Sequence, residues 1–235
     1  MIAKLNSMGV TDPMITSVAL TLLICFGIFL ARRRHMEMIP KARSMQNIAE
    51  ISVGKLYSFF TDVMGEYACR KYFPLVATLF IYILFCNYSG LLPFAGILPG
   101  FQAPTSSINF PCGMAIMVFI IVQAVGIKHA GGLKFYKHLL HPFAALFALM
   151  LVDELVKPVS LTLRLYGNTY GDEEVIHVLF DMVPIGVPVI MQLLVVLLAL
   201  IQALVFSLLT ATYIGQSLDA AEEITGKHFT VEGAN

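Results

Sequence analysis

The sequence predicts an all-α, polytopic membrane protein with about five crossings, long tilted helices in the last two and an interfacial amphipathic helix. Of its 235 residues, 58% are hydrophobic and only 13% are charged, which is about half the roughly 25% found in soluble domains. A soluble domain of this size has too little interior to bury so much apolar surface. Long uncharged runs also alternate with clusters of basic residues. We therefore interpret residues 1–235 as a single integral membrane domain.

Three uncharged runs locate four of the crossings. Residues 13–31 form a run of 19 residues, close to the ~20 that cross the hydrocarbon as a helix, and predict an anchor span. The longest run has 56 residues, and prolines and glycines in its middle place a turn between spans at 73–92 and 110–127. The last run has 37 residues, and its first prolines favour a helix over 184–218 that is tilted or overruns the bilayer.

Two further segments combine helical patterns with charge. Residues 142–180 are mostly apolar yet contain seven charged side chains. Since apolar residues surround each charge at helical spacing, we predict a fifth crossing there. Residues 44–70 separate apolar from charged side chains on opposite faces, which predicts a helix along the cytoplasmic interface. Residues 219–235 are expected to form a short mobile tail.

The basic residues predict the orientation. Segment 32–71 carries eight of them and 128–141 carries three, whereas the connections 93–109 and 175–183 carry none. Basic loops stay in the cytoplasm, so we expect the N-terminus outside and the C-terminus inside. The basic cluster follows the first apolar run, as in an anchor rather than a cleaved signal. The chain has 15 basic and 15 acidic residues, so no net field attracts nucleic acid.

The charged helix carries polar residues at regular steps. Steps of three, four or seven residues connect a series that we expect to share a face: Glu154, Lys157, Ser160 or Leu161, Arg164, Asn168 and Asp172. An ionisable group at membrane depth costs about 2.5–3.5 kcal/mol and is a functional hypothesis by default. Arg164 cannot lose its charge, and Gly167 and Gly171 leave a smooth surface beside it for another helix. A permanent cation on such a surface requires an anionic partner.

Several motifs carry a family resemblance. They are KPVSLTLRLYGN at 157–168, NYSGLLP at 87–93, PTSSIN at 104–109, IQALVF at 201–206 and YIG at 213–215. Together they resemble subunit a of the F-type ATP synthase, over about residues 70–218. The first resembles the family's signature in its charged helix, the next two resemble the connection between its second and third spans, and the last two resemble its final helix.

The resemblance implies a function and partners. Subunit a is the stator partner of the rotating c-subunit ring, and it works with peripheral-stalk b subunits inside the whole ATP synthase complex in the lipid bilayer. It offers two half-channels that do not meet, for protons or sodium ions, and it is not itself the catalytic subunit. The resemblance implies no metal and no cofactor. The expected location is a bacterial plasma membrane.

The resemblance also assigns roles to single residues. Arg164 matches the essential arginine that attracts the c-subunit carboxylate and blocks a direct leak. Glu173 stands nine residues further on, where the family places a half-channel carboxylate. His177 lies one turn after Glu173, and from that position we expect it to form a proton-relay pair with Glu173. Asn168 and Gln202 lie near the arginine. Glu154 and Lys157 fall on the inner side of Arg164, and Asp172 falls on the outer side.

Structural alternatives stay open for these residues. Arg164 in an intramembrane ion pair with Glu154 or Asp172 is one alternative, and Lys157 reaching to the cytoplasmic interface is another. Surface or capping roles stay open for Asp172, Glu174 and His177, and helix–helix hydrogen bonding for Asn168 and Gln202.

One departure concerns the outer half-channel. Some family members place a histidine or an acid on the last helix about two turns before the glutamine, and this chain has Val195 there. Gln192 is the nearest polar residue, so the outer path relies on Glu173, His177 and Gln192 or on water.

Two other function classes compete with the resemblance. In a self-sufficient transporter or channel, Arg164 is an anion site, and internal repeats or a counter-charge are expected. In a non-conducting anchor, Arg164 is replaceable. A nucleotide-hydrolysing enzyme is excluded, because the stretch 225–228 lacks the upstream glycine and the hydroxyl residue after lysine that a phosphate loop needs.

Overall fold

The computed structural model describes residues 12–33, 45–91, 103–131, 144–182 and 186–226. Within these ranges the chain is all-helical and has no strand. Its elements are α1 (Asp12–Arg33), α2 (Met45–Met64), α3 (Glu66–Gly90), a 3-10 helix (Pro104–Ser106), α4 (Asn109–Ala130), α5 (Ala144–Met182) and α6 (Val187–Thr225). Three helices in the described ranges, α3, α4 and most of α6, are long and apolar enough to cross a membrane. The predicted all-α membrane fold is confirmed.

Helices α3 to α6 pack into a bundle in which α6 contacts each of the other three, and α2 packs against α3 and α6. The core draws fully buried side chains from all five of these helices: Phe60, Ile83, Val118, Leu161, Leu165, Phe206 and Ile214. Helix α1 lies at the edge, where the hydroxyls of Thr21 and Tyr82 form a hydrogen bond of 3.0 Å. One side of α5 and of the first half of α6 faces away from this core and is exposed.

Two helix boundaries differ from the predicted segments. The interfacial segment 44–70 is divided at Gly65, whose φ of 80° suits glycine and separates α2 from α3. Residues 66–70 therefore begin α3. The expected tail is wrong for residues 219–225, which continue α6 and bury Ala221 against Ala130 at the end of α4. This is a contact between distant helices, which local composition does not reveal. Residues 227–235 lie outside the described ranges.

Helices α5 and α6 have 39 residues each. At 1.5 Å per residue each is about 58 Å long, nearly twice the ~30 Å of a hydrocarbon core. Their tilt, and the crossings assigned to α1 and α5, stay predictions. Pro158 lies inside α5, and the Thr162 hydroxyl donates to the Pro158 carbonyl at 2.8 Å.

Candidate functional site

Arg164 lies on an exposed, apolar surface of α5. Its side chain is exposed and forms neither a hydrogen bond nor an ion pair with any residue in the described ranges. Val159 and Leu163, on the exposed side of α5 that Arg164 borders, are 55% and 58% exposed. A Cβ added at Gly167 or Gly171 would meet nothing within 4 Å. The Arg164 cation thus stands on an apolar surface, and the two glycines leave open space on that surface. We call this surface the arginine face.

The ion pair considered for Arg164 is not formed within the described part of the chain. Glu154 pairs instead with Lys157, at 2.8 Å between Oε2 and Nζ. Asp172 is half-buried and forms no ion pair with Arg164. The alternative of a structural intramembrane pair for Arg164 therefore finds no support in these residues.

Asn168 and Gln202 join α5 to α6 one helical turn past Arg164. The amide Nδ2 of Asn168 donates to Oε1 of Gln202 at 2.7 Å. Gln202 is only 5% exposed, and its Nε2 has no hydrogen-bond partner among the described residues. On the α3 side of α6, Asn87 Nδ2 donates to the Ala199 carbonyl at 3.4 Å. Side-chain amides thus join α6 to α5 at Gln202 and to α3 at Ala199, within one turn of α6.

Glu154 and Lys157 belong to a second polar cluster, which reaches three helices. Gln123 of α4 donates through Nε2 to Oε1 of Glu154, while Lys157 holds the other carboxylate oxygen. The ammonium of Lys157 also lies 5.3 Å from the ring centroid of Tyr213 in α6. Glu154, Lys157 and Tyr213 border a small crevice between α4, α5 and α6. Lys157 therefore lies inside the bundle, with a side chain only 19% exposed.

Glu173 meets the end of α3. It is half-buried, and its Oε1 lies 3.3 Å from the position of a Cβ added at Gly90. Gln192 of α6 reaches the same end, where Nε2 donates to the Leu91 carbonyl at 3.4 Å. Val195 is buried at 7% exposure. Glu173 and Gln192 thus approach one end of α3 from two helices.

His177 lies in α5, but its side chain is outside the described residues. Its pairing with Glu173 stays a prediction. Glu174 is exposed, as the alternative of a surface role expects.

The expectation of one shared polar face holds only in part. Arg164 is exposed, whereas Lys157 is largely buried and Leu161 is 1% exposed. The ten residues from Glu154 to Arg164 turn a helix through about 1,000°, roughly 80° short of three full turns. Glu154 therefore lies well off the side of α5 that carries Arg164, whereas Lys157, seven residues before Arg164, is only about 20° away. Glu154 and Lys157 contact α4 and α6, and Arg164, further along the helix, is exposed.

Gln123 is the member of these clusters that we did not predict. Apart from Asn109 at its first residue, it is the one side-chain amide in the apolar helix α4. A polar side chain in a membrane helix frequently hydrogen-bonds across helices, so its residue type is a signal. Its partner depends on packing that no local pattern reveals.

Comparisons with known proteins agree on one family. The family model described as "ATP synthase A chain" matches residues 14–215. "ATP synthase subunit a" of Moorella thermoacetica is 38% identical over 213 residues, covering 91% of this chain and 93% of the relative. The protein of the same name from a Geobacter species is 37% identical over 224 residues, 92% and 93% of the two chains. "ATP synthase subunit a 3" of Pelobacter propionicus is 42% identical over 208 residues, 87% and 85% of the two chains.

Proposed function

This chain belongs to the ATP synthase A chain family, and we propose that it is the ion-translocating stator subunit in the membrane sector of a rotary F-type ATP synthase. It lies beside the c-subunit ring, is held by peripheral-stalk b subunits and couples the flow of protons or sodium ions to ring rotation. ATP is made by catalytic subunits elsewhere in the complex.

The observation that carries this proposal is the unpaired Arg164 on the arginine face. A cation at membrane depth costs several kcal/mol unless an anion or water meets it. The described part of this chain supplies no carboxylate to Arg164, and we infer that a second protein does so. The open space at Gly167 and Gly171 lets a helix of that protein approach closely. A ring whose subunits each carry a carboxylate meets both requirements. As the ring rotates, its subunits bring their carboxylates to Arg164 one after another.

Arg164 suits this work because a guanidinium stays charged when water is excluded, whereas a lysine ammonium can lose its proton. It attracts each ring carboxylate once its ion has left, and it bars a direct leak between the half-channels. Asn168 and Gln202 tie α5 to α6 beside it. This bond keeps the two long helices in register where the ring passes.

The remaining polar residues sort into two half-channels that Arg164 separates. Glu173, with Asp172, Gln192 and His177, belongs to the outer one. Glu154 and Lys157 belong to the inner one. An ion enters through one half-channel, neutralises a ring carboxylate, travels with the ring and leaves through the other. The transmembrane potential contributes about 2.3 kcal/mol per charge per 100 mV.

We also propose that the N-terminus lies outside and the C-terminus in the cytoplasm of a bacterial plasma membrane. Exposed basic residues lie at the start of α3 and the end of α4, including Lys71 and Lys128. Lys71 Nζ lies 3.2 Å from His129 Nε2, so these two helix ends are on the same side. A shared basic end is expected to be cytoplasmic.

Arg164→Ala in the assembled complex tests the proposal. We expect ion-driven ATP synthesis in membrane vesicles to be abolished while the subunit is still inserted, because Arg164 makes no bond that the fold needs. Arg164→Lys is expected to retain little activity. Lys55→Ala, which removes an exposed cation from α2, is the matched control and should synthesise ATP normally.

Normal coupled synthesis by Arg164→Ala would overturn the proposal. So would ion transport by the purified chain reconstituted alone, since that result would indicate a self-sufficient transporter.

A further inference from the structure

A polar cluster is formed by Gln123, Glu154, Lys157 and Tyr213. Within it, both oxygens of the Glu154 carboxylate are bound, one by Lys157 and the other by Gln123. The Lys157 ammonium holds Oε2 at 2.8 Å, and the Gln123 amide donates to Oε1. The ammonium in turn lies over the ring of Tyr213, a favourable position for a cation. The side chains of Glu154 and Lys157 are 28% and 19% exposed. This arrangement holds the Glu154 carboxylate against Lys157.

The pair also balances the charges of α5 in this region. Between residues 152 and 168 the helix carries two anions, Asp153 and Glu154, and two cations, Lys157 and Arg164. Asp153 is exposed and forms no ion pair with any residue that the structure describes. Lys157 lies seven residues from Arg164, about 10 Å along the helix. Without Glu154, the Lys157 ammonium would be left without its ion-pair partner on the inner side of Arg164.

We propose that Glu154, positioned by Gln123, cancels the charge of Lys157 so that cations can pass between the ring and the inner face. This inference rests on the proposed function and deepens it for the inner half-channel. A bare ammonium beside the crevice would repel a cation moving in either direction. Arg164 needs no such compensation, because the ring carboxylates meet it. Gln123 is a positioning residue: it acts on Glu154 and not on the ion.

The test compares charge variants of the whole complex in inverted membrane vesicles, whose cytoplasmic face meets the medium. ATP-driven pumping then draws the cation from the inner side, and its apparent KM is measured with sodium ions or, as a pH midpoint, with protons. We expect Glu154→Gln to raise this KM roughly 10- to 20-fold, the effect of one charge acting over about 10 Å at an effective dielectric constant near 20. Gln123→Ala should raise it less.

The double variant Glu154→Gln/Lys157→Gln separates charge from structure. It leaves no unpaired ammonium, so the inner-side KM should return to within about threefold of the wild-type value. The cation dependence of ATP synthesis, which reports the outer side, should not move in any of these variants. A merely structural pair predicts instead that Glu154→Gln lowers the stability of the assembled complex and shifts the inner-side and outer-side cation dependences alike.

Glu50→Gln is the matched control. Gln46 Nε2 donates to Glu50 Oε1 at 2.8 Å on the exposed face of α2, which is the same chemistry away from the cluster. It should leave the KM unchanged.

A double variant no better than Glu154→Gln would overturn the inference. If Glu154→Gln does not assemble, Gln123→Ala with and without Lys157→Gln replaces it: relief of the raised KM by Lys157→Gln supports the inference, and no relief overturns it. Coupled synthesis by Arg164→Ala would overturn the proposed function itself, so the two failures are distinct.

Discussion

Gly90→Ala tests the contact between the end of α3 and Glu173. An added Cβ would lie 2.9 Å from the Ala103 Cβ and 3.3 Å from Glu173 Oε1. Overpacking by one methyl group costs about 1–3 kcal/mol, while the gain from replacing glycine by alanine in a helix is at most ~1 kcal/mol. Glu173 can move, because the contact is with the tip of its side chain. Ala103 is 1% exposed and cannot move so easily.

Gly54→Ala is the matched control, because a Cβ at Gly54 in α2 meets nothing within 4 Å and gains the helix propensity without the overlap. The two variants should therefore differ in stability by about 1–3 kcal/mol. For a chain of this size, 1 kcal/mol shifts a thermal midpoint by roughly 2–4 °C. Gly90→Ala is thus expected to lie ~2–12 °C below Gly54→Ala. The assay is the heat-induced loss of this subunit from the purified complex.

Ala103→Gly isolates the cause. It removes the closer of the two atoms, so Gly90→Ala should cost less in that background, with a coupling energy of about 0.5–3 kcal/mol. Equal midpoints for Gly90→Ala and Gly54→Ala, or additive effects of Gly90→Ala and Ala103→Gly, would refute this packing around Glu173.

Two further predictions concern the arginine face and the amide pair beside it. Gly167→Leu should leave the subunit inserted, because its Cβ meets nothing within 4 Å. It should nevertheless lower ion-driven ATP synthesis at least tenfold, because the added side chain obstructs the ring. Gly54→Leu is the control, and normal synthesis by Gly167→Leu would contradict the prediction. Asn168→Ala should destabilise the subunit by about 1–3 kcal/mol because buried Gln202 loses its partner. Adding Gln202→Leu should recover most of that loss, and a purely additive thermal midpoint would contradict the bond's importance.

Much of the fold follows from where charges are absent. Uncharged runs and turn residues predict α1, α3, α4 and most of α6, because hydrocarbon excludes charge over the length of a crossing helix. The break at Gly65 and the helical course of residues 219–225 could not be predicted in this way. The first depends on one positive φ angle, and the second on Ala221 packing against the distant Ala130.

The candidate site, like the fold, contains residues that the sequence predicts and residues that depend on distant packing. A motif within one helix predicts Arg164, and a second motif predicts that Gln202 lies near it. The hydrogen bond between Asn168 and Gln202 holds Gln202 against the residue one helical turn past Arg164. Gln123 and the inward position of Lys157 depend instead on how α4 and α6 pack against α5. That packing determines which of the polar residues of α5 are buried and which are exposed.

The most direct test is the distance from the Arg164 guanidinium to the nearest carboxylate in a structure of the assembled complex within a bilayer. We expect a carboxylate of a separate ring subunit within about 4 Å or across one water molecule, and none from this chain. A guanidinium that faces lipid alone, or that pairs with an acid of its own polypeptide, would contradict the account.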